Sequence, residues 1–135
     1  MSGAAPPAAT PRKHTTVLVV EDDPGAMETF EHILTLSGYD VRGAADAETG
    51  LRELTRTTPA AILIDLHLPL ADGVEFLQRL RSLEPYARIP SAVITGDYFV
   101  DDETIHRIQA LGARLYFKPL WADDLLTLVR LLLES

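Results

Sequence analysis

The sequence contains no cysteine, which excludes disulfides and thiolate metal sites and suits a reducing, cytoplasmic setting. It has no apolar run long enough to span a bilayer: the longest are strand-sized or broken by charge, and the N-terminus lacks the apolar core of an export signal. Basic residues are in short supply, with Lys and Arg numbering 12 against 20 Asp and Glu, for a formal net charge of -8. That balance opposes attraction to nucleic acid or to an anionic membrane and favours cationic ligands or basic partner surfaces. What remains is a chain of 135 residues, the size of one domain able to bury its own core.

Residues 1–14 are rich in Ala and Pro, with too few large apolar side chains to offset the entropy of ordering them. A flexible tail is expected there, with Arg12, Lys13 and His14 solvated. Residues 15–135 read as one folded domain centred on Ala60, Ala61, Ile62, Leu63 and Ile64, an unbroken apolar run that ends in Asp65. Such a run reads as a strand buried on both faces, as in a parallel sheet.

Val17 to Val20 form a second run of this kind and end in Glu21, Asp22 and Asp23. Asp23 and Pro24 suit the N-cap and first position of a helix that stops at Gly38. Tyr39 to Ala44 reads as a short strand near an edge. Asp46 caps a helix reaching about Arg56, which Gly50 weakens by about 1 kcal/mol relative to Ala. After Asp65 come a loop with Pro69 and Gly73 and a helix from about Val74 to Leu83, with Phe76, Leu77, Leu80 and Leu83 as its apolar positions. Ser91 to Ile94 make a fourth strand ending at Thr95 and Gly96. A helix with Ile105, Ile108 and Leu111 on one face then stops at Gly112. Arg114 to Phe117 deliver Lys118, and a last helix turns Leu125, Leu128, Val129 and Leu132 inward. Strands alternating with helices in this way predict a parallel, doubly wound α/β sheet, because right-handed crossovers run the strands in one direction.

Ligands bind such sheets at the carboxyl ends of the strands. Four strand ends bring Glu21 with Asp22, Asp65, Thr95 and Lys118 to that rim. Charged residues seldom end apolar strands for packing alone, since taking a charge from water is costly unless it is paired. Converging acids repel unless a cation sits among them, and an all-oxygen set suits Mg2+, which binds through one or two carboxylates and uses phosphate oxygens of a substrate. A carboxylate nucleophile, a metal, a lysine and a hydroxyl are the inventory of phosphoryl transfer.

Taken as an ordered set, Glu21 Asp22 Asp23, Asp65 with Pro69 and Gly73 downstream, Thr95 Gly96, and Lys118 Pro119 resemble the receiver domain of two-component response regulators, of the stand-alone single-domain type. The resemblance implies a flavodoxin-like five-stranded parallel sheet with strand order 2-1-3-4-5. It implies a phospho-acceptor at Asp65 that takes its phosphoryl group from a histidine kinase or histidine phosphotransfer protein. By the same likeness Mg2+ is held by Asp65, Asp22, the backbone carbonyl of His67 and, through water, Glu21. Thr95, Gly96 and Lys118 contact the phosphoryl oxygens, and the Lys118 to Pro119 peptide is often cis. The implied output surface is the fourth helix, fifth strand and fifth helix, where a downstream protein or a second copy of the chain docks. With no folded segment expected after the last helix, output is read as protein contact or phosphorelay without direct DNA binding, and the domain as a signalling module and not an enzyme.

Leu115, counted back from Lys118, occupies the place where the family usually has a Tyr or Phe that rotates inward as the Thr95 position moves. Tyr116 is adjacent, but neighbouring strand residues point to opposite faces. Tyr98, Phe99 and Val100 fall in a lengthened loop and are read either as part of a partner surface or as packing on the fourth helix. His67 and Asp97 are expected to flank the path of water to the phosphoryl group and to set its lifetime. Two other readings are open. One is a receiver-like scaffold that is not phosphorylated. The other is a magnesium phosphatase of the haloacid-dehalogenase type, which needs a second acid two residues after its nucleophile, where this chain has His67.

Overall fold

Burial of the central strands on both faces explains the layers. In β1, Thr16–Val20, the odd and even positions of the apolar run both have something to pack on: Leu18 and Val20 join one core cluster, Val17 and Val19 the other. The computed structural model describes residues 15–134, so the expected tail lies outside the described residues. The remaining elements are α1 (Pro24–Leu36), β2 (Asp40–Ala44), α2 (Ala47–Thr57), β3 (Ala61–Asp65), α3 (Gly73–Arg81), β4 (Ser91–Thr95), α4 (Asp102–Ala110), β5 (Arg114–Phe117) and α5 (Ala122–Leu133). All strand pairs are parallel and the order is β2-β1-β3-β4-β5, as expected from the sequence. α2, α3 and α4 cover one face through Leu54, Phe76, Leu77, Leu80 and Ile108. α1 and α5 cover the other through Phe30, Leu34, Leu125, Leu128 and Val129. β2 and β5 are the borders, and they are correspondingly the strands with exposed residues.

The helix starts follow from side-chain acceptors. Asp23 accepts from Ala26 N at 2.8 Å, Asp46 from Thr49 N at 2.8 Å and Asp101 from Thr104 N at 2.8 Å, each satisfying an amide that the helix itself leaves unpaired. The cap at Asp101 and the one at α3, where Asp72 and Glu75 form a reciprocal capping box, were not anticipated. Some boundaries differ from expectation. α3 ends at Arg81, so Leu83 lies beyond the helix and is 41% exposed, and Leu36, though at helical spacing in α1, faces solvent. α5 opens after Trp121, whose side chain makes no capping bond.

Gly50 belongs where it is for a reason that helix propensity does not capture. It is buried, and a Cβ there would stand 2.9 Å from Phe76 Cε1 and 3.1 Å from Val20 Cγ2. The residue lets α2 approach the sheet closely, and α2 is a continuous helix despite it. Among the described residues no helix is long and apolar enough to cross a membrane.

Candidate functional site

Sheet register brings the site residues together before any side chain is considered. Val20 pairs with Ile64, so the next residues, Glu21 and Asp65, leave their strands side by side. Asp65 pairs with Ile94, which puts Thr95 one step further along β4. Thr95 pairs with Phe117, and the Lys118 amide donates to the Thr95 carbonyl at 2.8 Å. The strand order reverses between β1 and β3, which is where a doubly wound sheet opens a crevice at its carboxyl rim.

The rim is a compact charge cluster. Glu21, Asp22 and Asp65 each offer a carboxylate oxygen, and these atoms lie within 4.8 Å of one another. Glu21 is buried and Asp22 exposed, so the group forms a cleft with one wet side. Lys118 Nζ donates to Glu21 Oε1 at 2.7 Å and stands 3.5 Å from Asp65 Oδ2. Burial pushes the Glu21 carboxyl up, as does the adjacent Asp65, against the opposing pull of Lys118. Burial acts to lower the Lys118 ammonium, but its hydrogen bond to Glu21 and the charge of Asp65 outweigh that, and the net shift is upward. Burial is the leading cause at Glu21, whereas at Lys118 the neighbouring carboxylates decide the direction. A hard divalent cation fits this all-oxygen donor set.

Asp65 is held from both sides. Its Oδ1 accepts from the His67 amide at 3.2 Å, and Gly73, the first residue of α3, packs against its backbone. A Cβ at Gly73 would fall 2.6 Å from the Asp65 carbonyl oxygen, so the close approach of α3 to the end of β3 requires glycine. At Gly96 the nearest side-chain atom to such a Cβ is Lys118 Cδ, at 4.0 Å, which leaves the mouth of the cleft open.

The β4–α4 loop is tied to the same residues. Asp97 N donates to Thr95 Oγ1 at 3.0 Å, Asp97 Oδ1 accepts from Phe99 N at 2.9 Å, and Asp97 Oδ2 meets His67 Nε2 at 3.0 Å. The Phe99 amide bond and then the His67 contact hold the Asp97 carboxyl below the usual carboxylate range. Tyr98 stacks on Phe117, with ring centroids 5.4 Å apart at 19°, and its hydroxyl donates to the Lys118 carbonyl. Tyr98 therefore packs on β5 and not on α4. Val100 packs against the core, while Phe99 is 93% exposed. Leu115 packs on the α4 side of the sheet and Tyr116 on the α5 side, the opposition expected of neighbours on a strand. The Lys118–Pro119 peptide is cis.

Each residue expected at the rim is there: Glu21, Asp22, Asp65, His67, Thr95, Gly96, Asp97 and Lys118. Three connections had not been foreseen, namely the direct Lys118–Glu21 ion pair, the His67–Asp97 bridge and the Tyr98 bond to Lys118. They join residues far apart in the chain and carry no local spacing signal. The Asp72 capping box did carry one, an acid followed three residues later by Glu75.

Fold and rim together define a doubly wound α/β protein with an acidic, cation-ready cleft at its switch point. The chain belongs to the response regulator receiver domain family, whose profile matches residues 17–130. It is 34% identical over 118 residues to the transcriptional regulatory protein PrrA of Mycobacterium leprae, covering 87% of this chain and 49% of PrrA. It is 35% identical over 121 residues to the DNA-binding dual master transcriptional regulator RpaA of Synechocystis, covering 87% of this chain and 48% of RpaA. The chain thus spans about half the length of these relatives. Among solved structures, the Vibrio cholerae chemotaxis protein CheY4 superposes with a TM-score of 0.81 at 26% identity, covering 88% of this chain and 98% of CheY4. The family is one of signalling domains, and the five-stranded order and acidic cluster agree with membership.

Proposed function

We propose that the domain accepts a phosphoryl group on Asp65 from a histidine kinase or histidine phosphotransfer protein, with Mg2+ held by Glu21, Asp22, Asp65 and the His67 carbonyl, and that it signals by protein contact. The observation that carries this reading is the convergence of Asp65 with two further carboxylates and the Lys118 ammonium in one cleft. An Asp65 carboxylate oxygen forms a bond to phosphorus as the donor's P–N bond breaks, and the leaving imidazole takes up a proton. The cation neutralises phosphoryl oxygens when bound. Lys118 and the Thr95 hydroxyl supply the remaining donors, and a water molecule later attacks phosphorus and returns the free carboxylate. Intact mass after incubation with acetyl phosphate tests this: one phosphoryl group is gained with Mg2+ and none with a chelator. No gain under either condition would favour the unphosphorylated scaffold. The phosphatase reading is weaker, because His67 supplies no second carboxyl and its ring is engaged by Asp97.

The His67–Asp97 bridge joins the loops that flank the cleft, and in this reading it shields the phosphoryl group from water. His67→Ala is expected to shorten the lifetime of phosphorylated Asp65 several-fold without reducing initial uptake, as read from the decay of the phosphorylated mass. An unchanged decay removes the idea.

Tyr98 is proposed to supply from the β4–α4 loop the aromatic coupling that Leu115 cannot supply from β5. Thr95 accepts from the loop's Asp97 amide and the Lys118 carbonyl accepts from the Tyr98 hydroxyl, so movement of either phosphoryl-contacting residue acts on the Tyr98–Phe117 stack. Trp121, the sole tryptophan, follows Lys118 closely and is exposed, which makes it a reporter. Tyr98→Ala should lose most of the fluorescence change that phosphorylation produces, while Tyr98→Phe, which keeps the ring, retains part of it. Two variants that respond like the native chain would remove Tyr98 from this role. Phe99, with its side chain in solvent, fits the output surface together with the α4–β5–α5 face.

A further inference from the structure

At the opposite edge of the sheet, where β4 and β5 begin and α5 ends, lies a cavity of about 440 Å³. It is lined by the guanidinium-bearing Arg81, Arg88 and Arg114 and, among the described residues, by no acidic one, in a chain whose net charge is -8. Arg81 is locked in place: Nε donates to Leu111 O at 2.7 Å, and Nη1 to Ile89 O at 2.7 Å and Ala87 O at 3.3 Å. These bonds occupy carbonyls that would otherwise repel an anion, and among the described residues Nη2 has no acceptor. Arg88 and Arg114 are exposed and form no ion pair with any described acid, although their chain carries 20 acidic residues. Pro90, Leu131 and Leu132 give the cavity an apolar wall.

Cations gathered with no counter-charge among the described residues repel, and an anion relieves that repulsion. Guanidinium forks match phosphate and carboxylate geometry, and a cavity of this size holds a small organic molecule. We infer that this cavity binds a small molecule with a phosphate or carboxylate group on an apolar body, at a site separate from the Asp65 rim. Neither the family match nor the phosphoryl chemistry calls for such a site. Its occupant would touch the starts of β4 and β5, the strands that deliver Thr95 and Lys118 at their other ends.

The test is titration of the full chain, free of divalent metal, with phenyl phosphate, benzoate and inorganic phosphate, followed by backbone amide NMR. Saturating shifts are expected at Ser91, Gly112 and Arg114, with Thr95 and Gly96 unmoved. The better aromatic probe is expected to bind about tenfold more tightly than inorganic phosphate, because its ring covers apolar wall. Whichever of phenyl phosphate and benzoate saturates first names the anionic group. The double variant Arg88→Gln/Arg114→Gln alters two exposed side chains, so its dispersed spectrum serves as the folding control, and it should weaken binding at least about tenfold. Absence of saturation by all three probes, shifts reproduced by sodium chloride at equal ionic strength, or a double variant that binds like the native chain would overturn the inference.

Discussion

Asp65→Asn is expected to abolish phosphoryl uptake from acetyl phosphate, so that its intact mass is the same with and without the donor. The amide matches the carboxylate in shape, and its oxygen can still accept from the His67 amide, a bond of 3.2 Å in the native chain. What is lost, in the proposed reaction, is the nucleophilic carboxylate and one of the three carboxylates that could hold a cation. Stability of the metal-free protein should not fall, because removing one of several crowded negative charges relieves repulsion that burial makes expensive. Thermal unfolding with and without Mg2+ separates the effects: the native chain is stabilised by the ion through mass action and the variant less so. Native-level uptake in the variant would place the acceptor elsewhere.

Gly73→Ala is expected to damage fold and site together. The added methyl would lie 2.6 Å from the Asp65 carbonyl oxygen and 3.1 Å from Leu66 Cα, both backbone atoms that cannot turn aside. Overpacking of this kind costs about 2 kcal/mol, and the helix preference of alanine over glycine offsets less than about 1 kcal/mol at a first-turn position. A fall in melting temperature of roughly 5 °C is expected for a domain of this size. Phosphoryl uptake should fall further than stability does. The strain is relieved by moving the end of β3, and a misplacement of about 1 Å at a reacting group costs on the order of a hundredfold in rate. A variant that melts and reacts like the native chain would show that α3 can retreat from β3 without disturbing Asp65.

The legible part of this protein was the part written in local pattern. Apolar runs such as Val17–Val20 and Ile62–Ile64 mark central strands because burial on both faces leaves no polar alternation, and the acids that close them mark the rim. Caps at Asp23 and Asp46 were readable for the same reason, one acceptor serving amides a few residues away. Contacts across the chain were not. Gly50 reads as a defect in a helix until Phe76 and Val20 are placed against it, and Leu83 reads as a core position until α3 ends short of it. Tyr98 was legible as an aromatic in a long loop, whereas its attachment to Phe117 and Lys118 depends on how β4 and β5 pair.

Neither border of the sheet invites another strand. β2 presents exposed Asp40, Arg42 and Gly43, so a chain laid alongside would meet charge and a residue with little to pack. β5 is only 4 residues long, opens on the exposed Arg114 and is soon followed by Pro119, which has no amide hydrogen to give. Polymerisation by main-chain stitching is thereby blocked at both ends. Assembly with a second copy or another protein must rely on side-chain relief instead, which keeps recruitment responsive to small rearrangements of a few loops.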